Sequence, residues 1–184
     1  MRLLNKMIVF AAVAVGSAMT CAQAKSLVVY YSATGYTKSV ANMIAAYVKG
    51  DTFELVPAVP YSSDDLDYNK SDSRVSKEHN DPNREVKLVK NSVENFNAYD
   101  TVFVAYPIWW GIAAWPVDDF VKHNDFTGKK VIPVATSFSS PLGQSGELLA
   151  SMAKTGDWQK GIRFSSGVDE KTVTDWLQAL NFKQ

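Results

Sequence analysis

Short apolar runs rich in β-branched and aromatic residues recur along the chain and predict buried β-strands. The runs are too short for ordinary helices and have the usual length of strands. One of them contains Pro133, which lacks a backbone N–H and is unusual inside a sheet. The five predicted strands cover Ser26–Ser32, Phe53–Val56, Thr101–Tyr106, Lys130–Ser137 and, with the weakest pattern, Ile162–Ser166.

Apolar residues at helical spacing lie between these strands. The first helical face runs from Val40 to Val48 and ends at Gly50. Two further helices are predicted around Leu148–Met152 and Val173–Leu180. Strands that alternate with amphipathic helices predict an α/β fold, in which helices cover both faces of a parallel sheet. A chain of 184 residues suits one such domain.

The segment from Pro57 to Val89 departs from this alternation. It is polar and rich in Asp, Ser, Asn and Lys, and it is long for a connection between two strands. We interpret it mainly as a solvated excursion with a short helix around Ser73–His79. A functional role for the segment is the alternative.

The N-terminus has the pattern of a secretory signal peptide. Arg2 and Lys6 precede an uncharged apolar stretch, Met7–Met19, and the small residues of Ala22-Gln23-Ala24 predict cleavage after Ala24. A retained anchor is one alternative, although the apolar stretch is short for a bilayer span. Lipid attachment at Cys21 is another, disfavoured because the residues before it fit poorly. The prediction is residues 1–24 as signal peptide and 25–184 as one domain, periplasmic or secreted, without membrane insertion after cleavage.

Cleavage would change the charge and remove the only cysteine. It leaves 17 lysine and arginine residues against 19 acidic ones, a net charge of −2. Such a balance gives no reason to expect a nucleic-acid partner or an anionic membrane surface. Without Cys21 the mature chain has neither a disulfide nor a cysteine nucleophile.

A hydroxyl-rich loop, SATGYT, joins the first strand to its helix. Ser32, Thr34 and Thr37 supply hydroxyl donors, and Gly35 permits close approach of the backbone. The N–H groups and the positive dipole end of the helix favour an anion there, and a phosphate monoester fits. The loop has neither the P-loop pattern nor G-x-G-x-x-G, so nucleotide triphosphate and dinucleotide sites are less favoured. A simple helix cap is the alternative.

Two more loops leave neighbouring strands at the same edge of the predicted sheet. PIWWGIAAWP follows the third strand, and Thr136–Gly146 follows the fourth. Trp109 and Trp110 provide stacking area for a flat ring, with core packing as the alternative, whereas Trp115 is predicted to pack in the core. Together with a phosphate loop, these features favour flavin mononucleotide (FMN) as the ligand.

Other catalytic chemistries have weaker support. GQSGE, Gly143–Glu147, approaches the nucleophile elbow G-x-S-x-G but ends in glutamate. His79 and His123 lie in polar surroundings without the spacing of metal ligands, so we expect surface or capping roles.

The ordered set of motifs resembles the flavodoxin-like family, in its short-chain branch with a Pro-x-Trp-Trp loop. The motifs are SATGYT, YPIWWG, DFTGKKVIPVATSFSSPLGQSG, DWQKGIRFSSG and TDWLQAL. The resemblance implies a three-layer fold around a five-stranded parallel sheet of order 2-1-3-4-5, with FMN as cofactor. It implies that the cofactor is bound by Ser32, Thr34, Gly35, Tyr36, Thr37, Pro107, Ile108, Trp109, Trp110, Gly111, Thr136, Ser137, Phe138, Ser139 and Gly143.

The expected function is electron transfer through bound FMN in the cell envelope, at a low potential of the reduced flavin. The partner would be a redox protein or a quinone-like small molecule. One alternative is an FMN-dependent NAD(P)H:quinone-type oxidoreductase, and another is a non-enzymatic module that binds FMN or a phosphate ligand. Soluble nicotinamide is not expected outside the cytoplasm, which weakens the first alternative.

Overall fold

The computed structural model describes residues 24–183. The predicted signal peptide and Cys21 therefore lie outside the described residues, apart from Ala24. No helix in the described range is long and apolar enough to cross a membrane. The strands are β1 (Ser26–Tyr30), β2 (Asp51–Glu54), β3 (Thr101–Trp109), β4 (Ile112–Ala113), β5 (Lys130–Ser137), β6 (Asp157–Trp158) and β7 (Ile162–Ser165). The helices are α1 (Tyr36–Val48), α2 (Arg74–Asn80), α3 (Pro116–His123), α4 (Ser145–Ala153) and α5 (Glu170–Ala179).

A parallel sheet of order β2-β1-β3-β5-β6 forms the middle layer, and β7 also pairs with β5. The predicted strand order is confirmed, with β5 as the fourth predicted strand and β7 as the fifth. The fold is α/β and flavodoxin-like.

Side chains on alternate positions of the central strands fill two cores. Leu27 and Val29 of β1 face the side covered by α3 and α4. Val28 and Tyr30 face the side covered by α1 and α5. This alternation explains why the strands read as continuous apolar runs, because both faces of a helix-covered parallel sheet are buried.

The third predicted strand is longer than its sequence pattern indicates, and it leads into a hairpin rather than a loop. β3 continues past Tyr106 to Trp109, and β4 returns antiparallel to it, with Trp109 opposite Ile112. Trp110 and Gly111 form the two-residue turn, with φ angles of 46° and 81°. Positive φ at both turn positions is the geometry of a type I′ hairpin, which matches the twist of the strands. Tryptophan is unusual in such a turn, which is why the sequence pattern did not predict it.

The fifth predicted strand, Ile162–Ser166, is confirmed as β7, and a shorter strand that the sequence did not predict, β6, precedes it. β6 pairs with β5 up to Val131, and β7 pairs with it from Val134. Pro133 lies between these two ladders and has no N–H to donate at that point. Gly161 lies so close to Pro133 that an added Cβ would be 2.6 Å from the proline carbonyl oxygen. The proline therefore interrupts the edge strand rather than β5 itself.

Candidate functional site

A cavity of about 470 Å³ opens at the carboxyl ends of β1, β3 and β5. Its volume is within the usual range of small-molecule sites. Three segments predicted from the sequence meet there, and none of the lining side chains carries a formal charge. The lining residues are Ala33, Thr34, Tyr36, Thr37, Leu66, Tyr68, Pro107, Ile108, Trp109, Thr136, Ser137, Phe138, Ser139, Ser140 and Ser166.

One end of the cavity is the N-terminus of α1, which has no side-chain cap and no acidic residue in its first turn. By contrast, α5 is capped by Asp169, whose side chain accepts from the N–H of Thr172. Gly35 occupies the cap position of α1 with a φ of 91°, and its N–H donates to Ser32 Oγ over 3.1 Å. The first N–H groups of an uncapped helix are available to an anion.

A buried hydrogen bond joins two of the converging segments. Thr37 Oγ1 and Thr136 Oγ1 are 2.8 Å apart, and both residues are almost fully buried. The nearest cation along the chain, Lys38, instead pairs with Glu54 over 2.9 Å. Hydroxyl and N–H dipoles, rather than a lysine, therefore form the polar end of the cavity.

The segment after β5 is fastened by Arg163, which the sequence reasoning missed. This arginine of β7 donates from Nε to Ser137 Oγ over 2.8 Å and from Nη2 to the carbonyls of Ser137 and Phe138. Ser137 Oγ in turn donates to the carbonyl of Ser140. Arginine in a weak edge-strand pattern gives no signal of this role, because two of its three acceptors are backbone carbonyls.

The two adjacent tryptophans have different environments. Trp109 lines the cavity and makes edge-to-face contacts with Tyr31 and Tyr61, with ring centres 5.5 and 5.3 Å apart. Trp110 does not line the cavity; it stacks on His79 at 4.6 Å and 13° between the ring planes. Trp115 is 1% exposed, so its predicted core position is confirmed.

The polar excursion contributes a wall of the cavity. Its predicted short helix is confirmed as α2, Arg74–Asn80. Leu66 and Tyr68, which precede α2, line the cavity, and Tyr68 is 71% exposed. Isolated apolar residues in a strongly polar stretch were the available signal for this contribution.

Ten of the predicted site residues therefore lie together and five lie outside the cavity lining. The ten are Thr34, Tyr36, Thr37, Pro107, Ile108, Trp109, Thr136, Ser137, Phe138 and Ser139. Ser32 and Gly35 lie at the turn before α1, and Trp110 and Gly111 form the hairpin turn. Gly143 lies beside the hairpin, since a Cβ added to it would be 3.5 Å from the carbonyl oxygen of Gly111.

A comparison with known proteins identifies the family. A sequence profile of the flavodoxin family matches residues 25–180. The chain belongs to the flavodoxin family. Among curated protein sequences, none matches this flavodoxin.

Solved structures similar to this flavodoxin include two from Bacteroides. A chain from Bacteroides eggerthii DSM 20697, described as a flavoprotein, is 40% identical with a TM-score of 0.77, over 86% of this chain and 99% of that one. A flavoprotein so described from Bacteroides uniformis ATCC 8492 is 35% identical with a TM-score of 0.78, over 84% and 98%. A flavoprotein from Lactobacillus acidophilus NCFM, solved in complex with FMN, shares the fold at 23% identity and a TM-score of 0.55, over 83% and 98%.

Ser145 and His123, which the sequence raised as candidates for nucleophilic and metal chemistry, have structural roles in this flavodoxin. Ser145 of GQSGE is fully buried; its Oγ donates to the carbonyl of Leu142 and so accepts from the hydroxyl of Tyr106 over 3.0 Å. Burial raises the pKa of Tyr106 to about 12, and Ser145 opposes the shift. His123 lies at the end of α3, with Nδ1 2.6 Å from the carbonyl oxygen of Asp119. Within residues 24–183 no cluster of three potential metal ligands occurs.

Proposed function

We propose that this flavodoxin binds FMN in the cavity at the carboxyl ends of β1, β3 and β5 and transfers electrons through the bound flavin in the cell envelope. The observation that carries the proposal is one cavity with two chemically different ends. The uncapped N-terminus of α1 and the hydroxyls of Thr34 and Thr37 suit a phosphate. Trp109 and Tyr36 supply aromatic surface for a flat ring. The solved flavoproteins above support FMN as that ligand.

FMN supplies reversible electron and proton uptake, and the protein sets its binding and potential. The lining gives no cation to offset negative charge on the ring, since all of its residues are uncharged. Burial among neutral and aromatic side chains disfavours an anionic form of the reduced flavin. We therefore expect the protein to lower the potential of the reduced flavin relative to free FMN.

The rim of the cavity offers a place for an electron-transfer partner. Phe138 is 77% exposed and Tyr68 is 71% exposed, and both belong to the cavity lining. Exposed aromatic groups beside a redox centre suit brief contact with a partner protein or a quinone-like small molecule. The proposed location in the cell envelope is supported by the N-terminal pattern, and the family match begins at Lys25, directly after the predicted cleavage point.

Binding is tested on the purified domain, residues 25–184, by its absorption spectrum and by titration with FMN. We expect a flavin spectrum, or its appearance on adding FMN. A colourless protein that does not bind added FMN would overturn the proposal. Reduction by a protein or membrane donor, without turnover of NADH or NADPH, supports electron transfer; rapid nicotinamide oxidation with a quinone acceptor would instead establish a reductase.

The phosphate end is tested by Thr34→Val, with Thr52→Val on the exposed edge strand β2 as a matched control. Loss of one hydrogen bond to a charged group weakens binding by roughly tenfold or more. Thr34→Val should therefore weaken FMN binding and leave the affinity for riboflavin, which has no phosphate, unchanged. Equal losses for both ligands would show that the phosphate lies elsewhere. The cellular location is checked by fractionation and by the mass of the exported protein, which should begin at Lys25.

A further inference from the structure

The polar excursion from Pro57 to Val89 contacts both tryptophans of the β3–β4 hairpin. Tyr61, which precedes α2, meets Trp109 edge to face, with ring centres 5.3 Å apart and 76° between the ring planes. His79 of α2 stacks on Trp110 at 4.6 Å. Because Trp109 also lines the cavity proposed for FMN, the flavin cavity, the excursion reaches that cavity through the contact of Tyr61 with Trp109.

Tyr61 is held in place by two side chains of α2. Its hydroxyl donates to Glu78 Oε2 over 2.5 Å, the short distance of a charge-assisted hydrogen bond. Glu78 Oε1 accepts from Arg74 Nε over 2.7 Å, and the guanidinium carbon of Arg74 lies 4.0 Å from the centre of the Tyr61 ring. Arg74 Nη1 also donates to the carbonyl of Val59, two residues before Tyr61. The ring of Tyr61 is therefore fixed both by its hydroxyl and by a cation over its face.

Tyr61 differs from the other aromatic neighbours of Trp109 in where it comes from. Tyr31 and Trp115 are 4% and 1% exposed and belong to the buried cores, whereas Tyr61 is half-buried and belongs to the polar excursion. Burial raises the pKa of Tyr61, and the hydrogen bond to Glu78 raises it further, so the hydroxyl keeps its proton and donates at neutral pH. The contact with Glu78 therefore determines whether Tyr61 stays against the indole.

We propose that Tyr61 is a positioning residue for flavin binding: bonded to Glu78, it holds the indole of Trp109 in the orientation that faces the flavin cavity. The polar excursion then serves the site through α2 as well as through the wall formed by Leu66 and Tyr68. If the indole has several orientations, only the fraction that faces the cavity is ready to bind, and the apparent affinity falls by that fraction. The inference rests on the proposed function and deepens it, because it names what prepares the site before FMN binds.

The first measurement needs no flavin. The indole N–H peak of Trp109 is followed by nuclear magnetic resonance of the apo-protein labelled with ¹⁵N, and it is assigned with Trp109→Phe. Tyr61→Phe keeps a ring beside the indole and removes the hydrogen bond to Glu78, so we expect this peak to shift and broaden. Tyr47→Phe is the matched control, because the Tyr47 hydroxyl donates to the carbonyl of Phe182 in the core on the opposite face of the sheet. The Trp109 peak should be unchanged in the control.

The second measurement is calorimetric titration of the same proteins with FMN. We expect Tyr61→Phe to weaken FMN binding by roughly three- to tenfold and Tyr47→Phe to weaken it by less than about twofold. The visible circular dichroism of the bound flavin should change in Tyr61→Phe and not in the control. Glu78→Ala removes the acceptor, leaves Tyr61 intact and should give a similar loss. The double variant should bind no more weakly than Tyr61→Phe alone, because both changes remove the same contact.

The two measurements separate this proposal from the proposed function. If the wild type does not bind FMN, the proposed function fails, and the Trp109 peak of the apo-protein still tests the positioning. An unchanged Trp109 peak in both Tyr61→Phe and Glu78→Ala would overturn the role of Tyr61. Losses of FMN affinity that add in the double variant, or an equal loss in Tyr47→Phe, would overturn it as well. Should Tyr61→Phe fail to fold, Glu78→Ala decides by the same peak and the same titration.

Discussion

Replacing the two adjacent tryptophans one at a time separates their roles. Trp109 lines the flavin cavity, whereas Trp110 stacks on His79 outside it. We therefore expect Trp109→Phe to weaken FMN binding and Trp110→Phe to leave it nearly unchanged. Phenylalanine keeps an aromatic ring at each position, so the comparison removes the second ring of the indole while limiting damage to the hairpin.

The magnitude is set by the contacts of each ring. Trp109 is held by edge-to-face contacts with Tyr31, Tyr61 and Trp115, with ring centres 5.3 to 5.5 Å apart, so its orientation toward the cavity is fixed. An aromatic pair contributes about 0.5–1.5 kcal/mol beyond area burial. Losing part of one such contact with the flavin corresponds to a roughly two- to tenfold rise in Kd. For Trp110→Phe the expected change is below about twofold.

The assay is calorimetric titration of each apo-protein with FMN, with urea unfolding of the same samples as a control for stability. A variant that binds weakly only because it is partly unfolded is recognised by its unfolding midpoint. An equal or larger loss of affinity in Trp110→Phe would refute the reasoning, because it would place the flavin against the hairpin turn rather than in the cavity.

Three further predictions concern stability. Gly35→Ala should destabilise the apo-protein by about 1–2 kcal/mol in urea unfolding. The cause is the φ of 91° alone, since no atom lies within 4 Å of the added Cβ. An unchanged unfolding midpoint would contradict this. Trp110→Asn should be more stable than Trp110→Ala by about 0.5–1 kcal/mol in thermal unfolding, because asparagine tolerates positive φ; the reverse order would contradict a strained turn. Asp118 has a folded-state pKa of about 6 against an ordinary 3.8, because burial disfavours its ionised form. The stability of the protonated state is therefore fully present below pH 4 and is lost as the pH rises through 6. At pH 7 the free energy of unfolding of Asp118→Asn should therefore exceed that of the wild type by about 1–3 kcal/mol. Free energies of unfolding that depend on pH in the same way in both proteins would refute this.

The sheet and the meeting of its loops at one edge were predictable because their signals are local. Continuous apolar runs such as Thr101–Tyr106 identify strands buried on both faces, and the helical spacing from Val40 to Val48 identifies α1. Parallel strands bring their carboxyl ends to one edge, so the convergence of Thr37 and Thr136 is a consequence of the order of elements.

The remaining features depend on contacts between distant residues. The hairpin turn uses Trp110 where asparagine is usual, and the stack on His79, 31 positions earlier, accompanies that choice. Arg163 fastens the segment after β5 by donating to backbone carbonyls. Every residue has such a carbonyl, so the residue types give no signal of these contacts. The cavity wall formed by Tyr68 depends on how the polar excursion folds back, which no periodic pattern specifies.

The interruption at Pro133 has a consequence for solubility. An exposed strand at the border of a sheet can recruit a strand from another molecule and start aggregation. Here one border consists of the short segments β6 and β7, which offer no continuous ladder. The opposite border, β2, is four residues long and ends in Asp51 and Glu54, which are paired with Lys25 and Lys38. The mature chain, with its predicted net charge of −2, has little long-range repulsion to keep copies apart, so the shape of its two borders supplies that protection.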